Sequence, residues 1–470
     1  MILDQETGRP LSSLFGGPFA ATAERVHLIG IGGMALSGIA RVLLERGYSV
    51  SGSDVSPSSY TDRLVESGAA IAIGHDWANV EDVDAVVFSA AIGPDNPELR
   101  RAAELGIPVI RRAEIVGRLM DEKSGIAVAG THGKTTTTAM IALILDRAGL
   151  YPGYLIGAES RDLGGNARWG AGEHLVVEAD EYDSAFLEYN PDVALITYVE
   201  PDHLDYFGSV ENMVDNYRAF AGRVHKDGTL FIRNEGPLAK SVATDASCSV
   251  VWFGEEGDWK IEDYRPAGWS SEFTVVGPSG AAHRVQLAVP GLHNAYNALA
   301  AIAAAEEVGV DPRVSARALA EFSGVDRRFQ LLAQERGISV VEEYSHHPTE
   351  VRASIRAARA IQSERLWVVF QPHLRGRTED FMEEFARSFD EADRVTIAEI
   401  FSPSGREGDS RISGRDLAAA IGGETTTFQL TLDGCFREIQ DSARDGDLIL
   451  IMGAGDINSL SRSVADWLRK

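Results

Sequence analysis

Cysteine is nearly missing. Cys248 and Cys435 are the only two in 470 residues, and they stand far apart with no CxxC and no Cys/His cluster. That excludes a disulfide scaffold and a thiolate zinc site, and it fits a reducing compartment. No apolar run reaches the roughly 18 residues that span a bilayer, so no membrane insertion is expected. The first residues include Asp4 and Glu6, with no basic stretch leading into an apolar one. No secretory leader is therefore expected, and a cytoplasmic location is. Basic charge is in deficit: 44 Lys and Arg against 70 Asp and Glu leave a net charge of −26. Such a field repels phosphate backbones and anionic lipid, which argues against a nucleic-acid or membrane-surface partner. Local basic pockets for small anions stay open. Short-period repeats and low-complexity tracts are also absent.

What remains is an ordinary globular composition, 44% apolar and 24% charged. At roughly 150 residues per domain, the length suggests three domains. VHLIGI (26–31) has the pattern of a buried strand, MALSGIARVLLERG (34–47) of a helix, and YSVSGSD (48–54) and AVVFSAA (85–91) of further strands. PVIRRAEIVGRLM (108–120) leads from a strand into a helix. Alternation at this spacing implies a parallel sheet wrapped by crossovers. The polar DEKSG (121–125) is expected to be a linker. IAVAG (126–130), THGKTTTT and a helix over 138–149 open a second unit, with strands HLVVE (174–178) and DVALITYV (192–199) to follow. WSSEFTVVG and HRVQLAVP suggest an antiparallel pair, and HNAYNALAAIAAAEEVG (293–309) an Ala-rich helix. After SGVDRRFQ (323–330), ISVVEEY, LWVVFQ, DRVTIAE and DLILIMG mark a third α/β unit. The expected architecture is α/β in three domains. These are a Rossmann-like domain over 1–121, a P-loop-type central domain over 122–325 and a second Rossmann-like domain over 326–470.

The strongest local signal is Gly130-Thr131-His132-Gly133-Lys134-Thr135-Thr136 between an apolar strand and a helix. A phosphate loop needs glycine where backbone must wrap a polyphosphate, and it aims its amides and a helix N-terminus at the anion. Lys134 would place a charge on the β/γ oxygens and Thr135 a hydroxyl on Mg²⁺. The first glycine of the general motif falls on Val128, so the loop belongs to a subfamily. Gly30-Ile31-Gly32-Gly33-Met34-Ala35 fits G-x-G-x-x-A, with Asp54 24 residues on. That pattern suits a dinucleotide or, equally, a nucleotide-sugar diphosphate. Glu178 and His203 both follow predicted strands, where ligands of parallel sheets gather, and could hold Mg²⁺ on a triphosphate. Asn294 and Asn297 open the Ala-rich helix, and Arg328 sits at the second domain junction. Adjacent His346 and His347 argue against one shared zinc ion.

Taken in order, these segments resemble the Mur ligase family. The likeness spans nearly all of residues 24–470. It is carried by HLIGIGGMALSGIA, SGSD, FSAAI, PVIRRAEIVGRLM, GTHGKTTT, VVEADEYDSAFL, PDHLDYFG, PGLHNAYNALAA, GVDRRFQ, EEYSHHPTEV, FQPHLRGRT and MGAGDI. The resemblance implies an ATP-dependent amide ligase that joins L-alanine to UDP-N-acetylmuramate through an acyl phosphate, with Mg²⁺, as a monomer or homodimer. It implies ATP binding by Gly130, Thr131, His132, Gly133, Lys134, Thr135 and Thr136, and metal at Thr135, Glu178 and His203. Lys134, Glu178, His203, Asn294, Asn297, Arg328 and Glu343 would form the catalytic set. Gly30, Gly32, Gly33, Ser37, Asp54, His347, His373 and Arg377 would meet the substrates. Three positions depart from the family pattern: Glu343 replaces Asp, Leu374 replaces Arg, and Ser345 replaces Gly or Ala. A ligase that attaches a recycled peptide to the same sugar, and a nucleotide-binding relative without activity, are the competing readings. An NAD-dependent oxidoreductase would leave GTHGKTT unexplained.

Overall fold

The computed structural model describes residues 24–236, 238–361, 363–403 and 410–470. They group into two compact units. The first holds the described residues up to Lys260 with Val276–Ala281 and Asn297–Ala318; the second holds Ile261–Val275, Ala282–Tyr296 and Leu319–Lys470.

In the first unit, β1 (Arg25–Ile29), β2 (Ser49–Asp54), β3 (Ala70–Ile73), β4 (Ala85–Phe88) and β5 (Val109–Arg111) make a parallel sheet in the order β3-β2-β1-β4-β5. The order reverses between β1 and β4, the place where α/β sheets open a crevice at their carboxyl ends. The Gly30–Ala35 loop leaves β1 there. A second sheet contains β6 (Ser124–Ala129), β7 (Gly153–Ser160), β8 (Gly165–Arg168), β9 (His174–Glu178), β10 (Val193–Ile196), β11 (Thr229–Arg233) and β12 (Ser249–Phe253), ordered β12-β11-β10-β6-β9-β7-β8. Among the described residues of this sheet, only β7 and β8 pair antiparallel. One apolar core runs through both sheets, from Val26 to Val242.

The helix Met34–Glu45 lies against the β7–β8 hairpin. A Cβ on Gly38 would stand 3.1 Å from that of Ala167. Asn166 Nδ2 donates to the Met34 carbonyl at 3.0 Å, and the Trp169 N–H donates to Glu45 at 2.7 Å. The buried Arg46 guanidinium pairs with Glu122 at 2.7 Å and, like Lys123 Nζ, sits 4.4 Å from the Trp169 ring.

Sequence and structure differ at several places. DEKSG is not all linker, because Ser124 and the buried Gly125 already belong to β6, where the Gly125 N–H bonds Asp192 at 3.0 Å. The helix expected from 138 begins at Lys134, with its threonines buried and Thr138 Oγ1 bonded back to the Lys134 carbonyl at 2.8 Å. Four threonines in a row resemble a loop by propensity, but burial overrides that preference.

In the second unit, β16 (Gln330–Glu335), β17 (Ile338–Glu343), β18 (Arg365–Phe370), β19 (Arg394–Ala398), β20 (Thr426–Gln429) and β21 (Asp447–Met452) run β16-β17-β21-β18-β19-β20. Val341, Val368 and Leu450 enter one core, while Val340, Trp367, Val369 and Ile449 enter another. Both faces are therefore covered, as a parallel sheet requires. Among the described residues of this sheet only the edge strand β16 is antiparallel to its neighbour, and it is a further departure, since no strand was expected there. β13 (Lys260–Ala267), β14 (Ser270–Val276) and β15 (Ala282–Leu287) form a small sheet of their own, with the expected pair β14 and β15 adjacent. Burial and the nearby Glu438 carboxylate push the Cys435 thiol up to about 12, and burial raises Cys248, so neither is a ready thiolate.

One buried acid has a measurable consequence. Burial alone would raise the pKa of Glu98, but the His27 ring and hydrogen bonds from Ser53 and Asn79 hold it at about 2. A carboxylate with a depressed pKa contributes stability above its unfolded value and loses it as pH falls through the folded one. Relative to Glu98→Gln, the wild-type unfolding free energy should drop by about 3 kcal/mol between pH 5 and pH 2. Urea titrations across that range check it; parallel pH profiles for the two proteins would refute the coupling.

Candidate active site

β6 is buried along its length and delivers the chain into the Gly130–Thr136 loop. Gly130 has φ +125, and a Cβ there would collide with the Thr197 hydroxyl and lie within 3 Å of the Thr197 and Tyr198 amides. The loop is stitched to the segment after β10. The Thr131 N–H donates to the Tyr198 carbonyl at 2.8 Å, and the Thr131 hydroxyl donates to the Glu200 carbonyl at 3.2 Å. His132 Nε2 pairs with Glu200, and the Thr197 hydroxyl donates to the His132 carbonyl. Gly133, at φ +79, caps the helix Lys134–Arg147, and a Cβ there would run into the Asn297 side-chain oxygen. The first turn of that helix leaves N–H groups with no partner inside the helix, which suits an anion.

Charge is arranged around Lys134. Its Nζ donates to the carbonyls of Gly130 (2.6 Å) and Thr131 (3.4 Å), and it pairs with Glu181 at 2.8 Å. Burial opposes the charge on Lys134, but Glu181, Asp180 and Glu178 outweigh it and raise the pKa. Burial also raises Glu181, with Lys134 pulling the other way. Thr135 Oγ1 donates to Glu178 Oε1 at 2.9 Å, and the Gly157 N–H holds Glu178 Oε2 at 2.7 Å. His203 takes a left-handed φ of +53, its N–H donates to Asp202 at 2.7 Å, and its ring meets Tyr182 edge-on at 5.4 Å. The buried His203 Nδ1 has no hydrogen-bond partner among the described residues. Thr135 Oγ1 and Glu178 present together the oxygen ligands that a divalent cation prefers.

In the first sheet's loop, the Gly30 and Ile31 N–H groups both donate to the Ser53 carbonyl, at 2.8 and 3.1 Å. The Gly32 N–H donates to Asp54 Oδ2 at 2.9 Å, so Asp54 braces the loop directly. Gly33 caps the following helix, and the buried Ser37 hydroxyl turns back to the Met34 carbonyl at 2.8 Å.

In the second unit, Arg328 stacks over Tyr344 at 4.9 Å and lies 3.9 Å from Glu350. The buried Glu343 receives the Phe329 N–H at 2.8 Å and the Ser345 N–H at 2.9 Å, which occupies both its oxygens. His347 begins the helix Pro348–Arg359 and packs edge-on to Phe381 at 4.9 Å. Arg377 Nη1 is 3.5 Å from His373 Nδ1, and His373 lies 6.0 Å from the His346 ring. Asn294 Nδ2 donates to the Pro290 carbonyl at 2.8 Å.

Within the first unit, then, Lys134, Thr135 and Glu178 are gathered by hydrogen bonds, and Asn297 touches their loop. The sequence places Glu181 among the carboxylates after β9 but gives it no role of its own, and it does not single out Glu200 or Thr197. Glu181 meets Lys134 from 47 residues away and caps the short helix Tyr182–Glu188, in which Asp183 and Ser184 take φ of +57 and +53.

Family models described as Mur ligase family, catalytic domain; Mur ligase middle domain; and Mur ligase, glutamate ligase domain match residues 25–124, 128–305 and 327–455. A UDP-N-acetylmuramate–L-alanine ligase of Desulforamulus reducens is 42% identical over 454 residues, covering 95% of this chain and 98% of its own length. One of Thermobifida fusca is 40% identical, covering 94% and 96%. The crystal structure of a UDP-N-acetylmuramate–alanine ligase of Thermotoga maritima superposes with a TM-score of 0.81 at 29% identity, over 95% of this chain and 99% of that one. A murein peptide ligase of Psychrobacter arcticus gives 0.72 at 26%, over 94% and 98%. With this identity sustained along almost the whole chain, the protein belongs to the Mur ligase family.

Proposed function

We propose that this protein joins L-alanine to UDP-N-acetylmuramate, with ATP converted to ADP and phosphate. The observation that carries the chemistry is the Gly130–Thr136 loop, with Lys134 buried beside acids and Thr135 bonded to Glu178. The acid and the amine are taken from the names of relatives about 40% identical.

A carboxylate resists attack by an amine because its charge and resonance protect the carbonyl. Transfer of the γ-phosphoryl group to it gives an acyl phosphate; the amine then attacks, phosphate leaves and an amide remains. Such transfer asks chiefly for positioning and charge neutralisation. Lys134 supplies a fixed cation to the phosphates, and the loop amides hold their oxygens. Thr135, Glu178 and His203 would hold Mg²⁺, which when bound offsets the charge of the triphosphate. Asn297 packs on the loop at Gly133 and keeps its turn. Asn294 fixes the start of its helix, Arg328 is assigned to the transferring phosphoryl group, and Glu343 supports the Arg328-Phe329 turn. Gly30, Gly32, Gly33, Ser37 and Asp54 are assigned to the UDP-sugar, and His347, His373 and Arg377 to the substrates' reacting ends. Among the described residues, no helix is long and apolar enough to cross a membrane.

The test is ADP release with UDP-N-acetylmuramate across a panel of amino acids and the peptide L-alanyl-γ-D-glutamyl-meso-diaminopimelate. L-Alanine should support the largest kcat/KM. A preference for the peptide would move the chain to the murein peptide ligase reading. Glu178→Gln should raise the Mg²⁺ concentration for half-maximal rate about tenfold or more. An unchanged metal requirement would remove Glu178 from the metal site.

A further inference from the structure

A cluster of buried titratable groups lies outside the phosphate loop, behind the glycine loop of the first sheet. Glu98 is fully buried, and four polar side chains from several elements surround its carboxylate. The Ser53 hydroxyl donates to its Oε2 at 2.6 Å, and Asn79 Nδ2 donates to Oε1 at 2.6 Å. His75 Nδ1 lies 3.1 Å from Oε2, and His27 Nε2 lies 3.6 Å from Oε1. His27 is in turn held by Ser51, with Nδ1 2.9 Å from its hydroxyl. Glu98 itself is pinned in the first turn of the helix Pro97–Leu105, where Asn96 caps its N–H at 2.9 Å.

We propose that Glu98 is a positioning residue that sets the glycine loop for the UDP-sugar, acting through Ser53. This rests on the reading that UDP-N-acetylmuramate binds at Gly30–Gly33. Ser53 faces both ways: its hydroxyl is on Glu98 while its carbonyl takes the N–H groups of Gly30 and Ile31. Its neighbour Asp54 takes the N–H of Gly32. Two consecutive residues at the end of β2 thus orient three consecutive loop amides, and the buried carboxylate fixes where those two residues stand. Taking an ionised acid out of water is costly unless its partners are all in place, so a displaced Ser53 is penalised strongly. A hydrophobic residue would fill the same space without holding Ser53 in one place.

The test uses the full-length enzyme with Glu98→Gln, Ser53→Ala, the double variant, and Gly32→Val as a reference for the loop. In Gly32→Val a Cβ already lies 2.9 Å from Asp54 Oδ2 before the branches are added. Initial rates give kcat and the KM for each substrate, and thermal midpoints report folding. Glu98→Gln and Ser53→Ala should each raise the KM for UDP-N-acetylmuramate roughly tenfold, with kcat and the KM for ATP within about twofold of wild type. The double variant should match the worse single one, because both break one chain of contacts. Equal increases in both KM values, a fall in kcat alone, or multiplicative effects in the double variant would overturn the proposal. If Gly32→Val raises the sugar KM and Glu98→Gln does not, the positioning role fails while the loop assignment stands. If Gly32→Val leaves it unchanged, the loop assignment fails and takes the proposal with it.

Discussion

Lys134→Ala should lower ADP release dependent on UDP-sugar and amino acid by at least about a thousandfold. The loss follows from removing the one side-chain cation set within the phosphate loop itself. The same change strands Glu181, which is 2% exposed, accepts a hydrogen bond from Lys134 at Oε1 and has its Oε2 2.8 Å from the same ammonium. Breaking a buried pair from one side costs about 3 kcal/mol or more, while removing both charges costs far less. The double variant Lys134→Ala/Glu181→Gln should therefore recover most of the lost stability and none of the turnover. Denaturant midpoints and ADP release, measured on both variants, separate the two effects. Near wild-type turnover in Lys134→Ala would defeat the assignment of the loop.

The second large effect is expected at Gly130. A methyl group there meets the Thr197 hydroxyl and two backbone amides, none of which is the free end of a flexible chain. The φ of +125 adds strain for any L side chain. Gly130→Ala should cost about 3 kcal/mol or more and raise the KM for ATP on the order of a hundredfold, since Thr131 loses register with Tyr198 and Glu200. Gly149→Ala makes the comparison: it has φ +79 and nothing within 4 Å, so about 1 kcal/mol with unchanged kinetics is expected. Similar kinetics for both variants would show that the close approach at Gly130 does not matter.

Both glycine loops were legible because their signals are local: an apolar strand, glycines at turn positions, then a helix. Glu178 could be placed near the phosphate loop because it ends a strand of the same parallel sheet. Less visible were contacts that depend on non-local geometry. Glu98 looks like an ordinary acid at a helix start, where the dipole favours one on the surface; only the convergence of β1, β2 and the turn after β3 buries it. The role of Glu181 was hidden because its partner Lys134 lies 47 residues earlier in the chain. The β7–β8 hairpin was missed because GYLIGAES and GNAR carry glycines and polar residues that dilute alternation, and β16 because QLLAQE resembles a helical fragment as much as a strand. At Glu343 the carboxylate was expected among the reacting groups, and the structure shows it occupied by two backbone amides.

The seam between the helix Met34–Glu45 and the β7–β8 hairpin has a mechanical meaning. Gly38 and Ala167 meet there with almost no side chain between them, and Asn166, Glu45 and Arg46 rivet the margins. The sheets that carry the two glycine loops thereby share one core, joined along this seam. On the proposed function, the distance that the UDP-sugar's acid must cover to meet the phosphate loop is set at that seam, and a change at Gly38 or Ala167 would alter it without touching either loop.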